Sequence, residues 1–160
     1  MSERLIEADV FVLCVGARWR NARRRFGLSV PVRPGRGWHL EVAGELERPV
    51  MLAAAHIVAS PVRRGVIRLT SGMRLGARLS EGELSQRTAA MHSAALKMLP
   101  NLAGAEVISR WQGARPMSPS GLPIVKAHRN VIVATGHGTL GMTLAPETAS
   151  AVCGLMRSAS

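Results

Sequence analysis

The run VIVAT-GHGTLG, residues 131–141, constrains this chain more than any other stretch. Five apolar or β-branched residues in a row read as a buried strand, and three glycines among the next six read as a turn that leaves ordinary backbone space. A helix is expected to follow from about residue 140. Strand, glycine turn and helix in that order present backbone N–H groups to an anion or to the polar edge of a cofactor. Just upstream, RWQGARP at 110–116 reads as an arginine-bearing strand closed by Pro116, followed by a Pro/Gly turn.

An element of the same kind stands near the other end. ADVFVLCV at 8–15 is a nearly continuous apolar run, the pattern of a buried strand in a mainly parallel sheet, and it ends at Gly16 and Ala17. Strand-Gly-Ala alone is weak evidence, since a tight turn without a ligand has the same letters; its pairing with 131–141 gives it weight. The dense basic block RWRNARRR at 18–25 follows and reads as a solvated or partner-facing helix.

Between the two elements the texture changes. PVRPGRG at 31–37 marks a crossover between layers. WHLEV at 38–42, the stretch 50–57 and GVIRLT at 65–70 read as successive strands, with Glu41, 47–49 and 61–64 as punctuation, which suggests an antiparallel sheet. Residues 71–80, with two glycines, read as a loop or a bulged strand. From 80 to 99 the signals are helical: Ser80 and Glu83 form a capping-box pair, Glu81 and Glu83 suit the positive end of the helix dipole, and Lys97 suits the negative end. Leu84, Met91, Ala95, Met98 and Leu99 are expected on the buried face, with Glu83, Gln86, Arg87 and Lys97 wet and with Pro100 and Asn101 as the stop. His92 reads as an exposed or capping residue. Alternation in EVISRWQGAR, 106–115, predicts a strand that delivers Arg115 next to Pro116. An arginine there suits a bidentate pair with a carboxylate and suits a surface salt bridge equally well.

Composition bounds the rest. The chain of 160 residues is 47% hydrophobic, enough for a core, and has no run of 18 apolar residues. The start MSERLIEADV lacks the order of a signal peptide, so the cytoplasm, or the periphery of the inner membrane, is the expected location. Cys14 and Cys153, in apolar surroundings and far apart, read as buried free thiols, and no metal-ligand spacing occurs. A formal charge of +11 raises nucleic acid as a partner. That reading is discounted: only Lys97 and Lys126 of the 21 basic residues are lysine, the arginines are spread out, and with no Tyr and two Phe there is no base-stacking platform.

Taken in order, ADVFVLCVGARW, PVRPGRGWHLEV, WQGARPMSPSGLPIV and NVIVATGHGTLGMTLAP resemble the C-terminal half of the FAD-dependent D-amino-acid dehydrogenase family, within the wider glycine oxidase and D-amino-acid oxidase group. The resemblance covers nearly the whole chain, and the last two motifs are its specific part. It implies an α/β (α+β) chain: the remainder of an FAD-binding Rossmann-like domain at 1–30 and 117–160, and an antiparallel-sheet substrate domain at 31–116 with one long helix at about 80–99. It implies FAD as cofactor and oxidative deamination of a D-amino acid by hydride transfer to the flavin. Arg115 is similar to the residue that holds the substrate carboxylate. Gly136, His137, Gly138, Thr139, Leu140 and Gly141 would line the flavin, with the following helix aimed at its carbonyl end, while Gly16 and Ala17 form a turn of the FAD domain. His137 would contribute through its backbone.

Departures accompany the match. The G-x-G-x-x-G pyrophosphate fingerprint of the family's opening strand is not found; GHGTLG has its spacing, but no acidic residue stands about twenty positions on, and the resemblance puts this turn at the flavin. Ser120 stands for the usual Asp of a Pro-Asp-Gly turn, Lys126 for a Gly, Met142 for a Trp, and Arg74 lies near an expected acid. A separately encoded N-terminal FAD-binding half, or a homo-oligomer, is therefore an expected partner, and a catalytically inactive remnant or carboxylate-binding module is the alternative. Strands at 10–15 and 131–134 without flanking elements would expose apolar edges. The purified chain is accordingly expected to elute as aggregate or to melt broadly unless another polypeptide covers them. A monodisperse monomer with a sharp cooperative melt would overturn this.

Overall fold

The computed structural model describes residues 5–19 and 25–158, and the chain divides into two compact units, Met1–Pro34 with Arg115–Ser160, and Gly35–Ala114. The basic block at 18–25 lies mostly outside the described residues; Arg18 and Arg25 at its ends are exposed. Among the described residues no helix is long and apolar enough to cross a membrane.

The unit 35–114 is built on a sheet. Its strands are β2 (Arg33–Ala43), β3 (Val50–Leu52), β4 (Ile57–Arg63), β5 (Val66–Leu75) and β6 (Val107–Met117), in the spatial order β3-β4-β5-β2-β6. The pairs β3/β4, β4/β5 and β2/β5 are antiparallel. Alternation decides the faces. Leu40 and Val42, in register with Leu69 and Ile67, point to one side and pack with Ile57, Ala59 and Leu102 against helix α1 (Glu81–Met98). Full burial of such side chains contributes about 2 kcal/mol each, which is why this layer is apolar.

Helix α1 begins at Ser80, whose hydroxyl accepts from the Glu83 amide while the Ser80 amide donates to Glu83. Arg74 donates to the same carboxylate at 2.8 Å, so an arginine at this position has a partner. The Ser80 amide first, and the Arg74 guanidinium second, hold the Glu83 carboxyl below its ordinary value. The buried stripe is Leu84, Thr88, Met91 and Ala95. Met98, expected inside, is 39% exposed, and Thr88 takes part instead because its hydroxyl donates back to the Leu84 carbonyl at 2.8 Å. His92 is half-buried rather than exposed, with its Nε2 buried and unpartnered.

The other face of the sheet carries a polar cluster. Glu41 is 7% exposed; its carboxylate accepts from Arg68 Nη2 at 2.7 Å and from Ser109 Oγ at 3.2 Å, and lies 3.7 Å from Arg63. His39 Nδ1 lies 3.0 Å from Thr70 Oγ1, and its ring stacks on Trp111 with centroids 3.8 Å apart.

Several boundaries differ from the sequence expectation. Residues 33–37, expected as a crossover, are strand: β2 pairs Gly35 with Leu75 and Arg36 with Arg74, and a bulge between Arg36 and Trp38 absorbs the irregularity. For 71–80, read as either a loop or a bulged strand, the strand holds over 71–75, since β5 runs on to Leu75. Gly72 is required there, with φ +66 and the Trp38 ring where a Cβ would stand. The stretch 50–57 is broken by a 3-10 turn at Ala53–Ala55, and Pro61 lies inside β4 beside a register shift. β6 does not stop at Pro116; it occupies the sheet edge, where a missing N–H costs no ladder bond on the open side.

The other unit holds a three-stranded sheet in the order β1-β8-β7, from β1 (Phe11–Leu13), β7 (Ile124–His128) and β8 (Val131–Thr135). β1 is shorter than the apolar run 8–15 and pairs parallel with β8; β7, unanticipated, pairs antiparallel with β8 through a turn at Arg129 (φ +54). All five residues of β8 are buried, so the apolar edges expected there are covered, and among the described residues the open edges belong to the outer strands β1 and β7. Helix α2 (Ala145–Ser158) starts later than residue 140, after a series of turns.

The Glu41 cluster makes stability depend on pH. The Arg68 hydrogen bonds, outweighing burial and reinforced by Ser109 and the charges of Arg68 and Arg63, hold the Glu41 carboxyl below its ordinary value. A folded value below the unfolded one means the stabilisation is complete above the unfolded carboxylate range and is lost as pH falls through the lowered value. Glu41→Gln is expected to cost about 2 kcal/mol in denaturant unfolding at pH 7, with the difference vanishing in acid.

Candidate functional site

The parallel pair β1/β8 fixes where a site can form. Parallel strands end at the same edge, and the crevice beyond their carboxyl ends is where open α/β sheets bind ligands. Here a glycine held at positive φ follows each strand: Gly136 at +83 directly after β8, and Gly16 at +53 three residues beyond the end of β1, where a 3-10 turn begins. Thr135 Oγ1 donates to the Gly16 carbonyl at 3.2 Å and ties the two ends together.

The end of β6 closes a third side. Met117 forms a bridge with His137, and the Gly138 amide donates to the Pro116 carbonyl at 2.8 Å. Beyond it the chain folds back in turns, with Leu140 N donating to His137 O, Leu144 N to Leu140 O and Thr148 N to Leu144 O. The amides of Thr139, Gly141, Met142 and Thr143 donate to no acceptor among the described residues. They are exposed N–H groups on either side of the paired Leu140 amide, just ahead of the positive end of α2.

The result is a cleft of about 500 Å³. Its floor is Val12 and Cys14 of the β1 segment with Ala134 and Thr135 of β8, its rim is Gly16, Pro116, His137, Gly138 and Gly141, and one wall is α2. Ala145, Thr148, Ala149 and Val152 recur at helical spacing and so share that wall, which is apolar and made of small side chains. No carboxylate lines it. His137 is half-buried, and its Nε2 lies 2.9 Å from Thr148 Oγ1.

Of the residues the sequence singles out, Gly16, His137, Gly138 and Gly141 meet on this cleft. Gly136 is buried behind it, while Ala17, Thr139 and Leu140 do not line it, the last two being exposed. Arg115 precedes the rim residue Pro116 without lining the cleft itself. Its side chain is half-buried and has no ion-pair or hydrogen-bond partner among the described residues, so the surface salt bridge is not made. Cys14 and Cys153 are corrected: both are exposed free thiols, and both line the cleft. The alternation Val12, Cys14, Gly16 and the helical spacing from Ala145 to Val152 carried this information locally, but which face each would present depended on the sheet. Ser120 performs the turn role of an Asp through its hydroxyl, accepting from the Leu122 amide at 3.3 Å. Lys126 and Met142 are simply exposed.

A mixed helix-and-sheet chain with a glycine-rimmed cleft at the carboxyl ends of parallel strands is the class of a nucleotide-cofactor protein. The family model described as FAD dependent oxidoreductase matches residues 2–155, and the chain belongs to that family. It is 32% identical over 151 residues to a glycine oxidase of Pseudomonas putida, covering 92% of this chain and 41% of that protein. To a D-amino acid dehydrogenase of Agrobacterium fabrum it is 31% identical over 159 residues, covering 95% of this chain and 38% of that protein. Among solved structures, glycine oxidase from Geobacillus kaustophilus superposes with a TM-score of 0.77 at 25% identity, covering 96% of this chain and 42% of that one. The chain thus spans about two fifths of the length of the relatives it matches.

The cleft depends on backbone room at Gly136. A Cβ there would stand 3.2 Å from Ser118 Cβ and 3.4 Å from the Ile124 amide nitrogen, and φ is +83. Gly136→Ala is expected to lower stability by about 2 kcal/mol, from strain at positive φ plus crowding, measured by denaturant unfolding. Gly16→Ala, at φ +53 with no atom within 4 Å, carries the backbone strain alone and is expected to cost less.

Proposed function

We propose that this chain forms the substrate-binding and flavin-edge portion of an FAD-dependent enzyme that oxidatively deaminates D-amino acids. The observation that carries the reading is the glycine-rimmed, small-residue cleft at the carboxyl ends of β1 and β8, with the unpaired Gly141 amide on its lining just ahead of α2. That amide suits the polar edge of an isoalloxazine, and the apolar, carboxylate-free walls suit its ring system. Bound FAD supplies the acceptor for a hydride leaving the substrate Cα.

The chain's own residues do the positioning. Gly16, His137, Gly138 and Gly141 set the backbone contour that a planar group can approach, and the unpaired Gly141 amide with the α2 dipole favours negative charge at that edge. Arg115, a guanidinium without a protein acid, holds the amino-acid carboxylate through paired N–H donors and fixes where Cα sits. The unit Gly35–Ala114 serves as the substrate domain, and the remainder completes the FAD domain. The open edge of β1 supports a further polypeptide segment as partner, because an edge strand with one neighbour leaves its ladder half paired.

An FAD titration of the purified chain, followed by flavin fluorescence and visible absorbance, tests this. Quenching on binding and anaerobic bleaching by a D-amino acid are the expected results. Arg115→Ala is expected to leave FAD binding intact and to raise the amino-acid concentration for half-bleaching about 100-fold. Carboxylate binding at Arg115 without any flavin binding would instead make the chain a carboxylate-binding module.

A further inference from the structure

We propose that Thr148 is a positioning residue that clasps the His137 ring in one tautomer and so holds the glycine turn in the shape that receives the flavin; the last clause rests on the function proposed above. Thr148 is 9% exposed, one turn into α2, on the apolar wall of the cleft. Its hydroxyl makes two contacts: 2.8 Å to the Leu144 carbonyl oxygen and 2.9 Å to His137 Nε2. A carbonyl accepts only, and a threonine hydroxyl has a single hydrogen. That hydrogen goes to Leu144, so Nε2 must be the donor to Oγ1. Were the hydroxyl to donate to an unprotonated Nε2 instead, two oxygens 2.8 Å apart would face each other with no hydrogen between them.

The geometry therefore assigns His137 the Nε2–H form and leaves Nδ1 as its lone-pair nitrogen when the ring is neutral. This contact is one of three ties on the turn. The others are the Met117 bridge to His137 and the Gly138 amide on Pro116, both of which run to the end of β6. Among the described residues, the His137–Thr148 contact is the side-chain hydrogen bond that joins the turn to α2, and it spans the interval 139–143. Thr148 is found by following the hydrogens.

Two variants separate the clasp from simple packing. Thr148→Val keeps the shape and removes both hydrogen bonds, while Thr148→Ser keeps the hydroxyl. In nitrogen-15 spectra of His137, the wild type and Thr148→Ser are expected to give protonated Nε2 and unprotonated Nδ1 signals at neutral ring charge, and Thr148→Val a mixture of tautomers. FAD affinity is expected to fall about tenfold in Thr148→Val and to recover in Thr148→Ser, with the far-ultraviolet dichroism of all three alike. A wild-type spectrum with the proton on Nδ1, or a Thr148→Val spectrum unchanged from wild type, would overturn the clasp. Equal FAD affinity for wild type and Thr148→Val would overturn its role in receiving the flavin. Absence of FAD binding by the wild type would overturn the functional reading, while the nitrogen spectra, which need no flavin, would still decide the clasp.

Discussion

The parallel pairing of β1 with β8 is the interaction on which the candidate site depends. It puts two strand ends side by side, and a chain leaving either end has to turn sharply, which both do through a glycine at positive φ. β8 can serve this way because it is buried along its whole length between β1 and β7 and is therefore held in register by side chains on both faces. Everything that lines the cleft is hung from those two ends: the turn that follows Gly136, the tie to Pro116, and the helix wall beyond.

The other unit solves a different problem. Its sheet buries an aliphatic face under α1 and satisfies the opposite face with paired polar groups, His39 with Thr70 and Glu41 with Arg68, each pair directly cross-strand. A carboxylate as buried as Glu41 is stable only because three donors surround it. Gln112 adds a two-sided link, accepting from the Leu79 amide at 2.8 Å and donating to the Leu79 carbonyl at 2.9 Å, which secures β6 to the segment entering α1.

How far the sequence could be read followed the range of the interactions involved. The helix at 81–98 was legible because the Ser80/Glu83 cap and the stop at Pro100 are local; the exchange of Met98 for Thr88 on its buried face was not, since it depends on where the sheet ends beneath it. Residues 33–37 carry a proline and two glycines and read as a break, yet pairing with β5 makes them strand. β7 mixes Lys126 and His128 with its apolar residues and so does not announce itself, and only its ladder with β8 defines it. For the candidate site, the glycine positions were legible because few residues tolerate φ near +80. The wall at Thr148 and Val152 was not, because the helix begins five residues later than its apolar pattern suggests.

The sequence by itself determined the order of strand, glycine turn and helix, the cap of the long helix, and the alternation that makes 107–115 a strand. These are properties of neighbours along the chain, encoded in backbone freedom and periodicity. Only the tertiary structure decided that Cys14 and Cys153 are exposed on one cleft, that Arg115 has no acid beside it among the described residues, and that the Thr148 hydroxyl lies within hydrogen-bond reach of both His137 Nε2 and the Leu144 carbonyl. Each of these depends on which side chains chain closure brings together, and no spacing in the sequence records that.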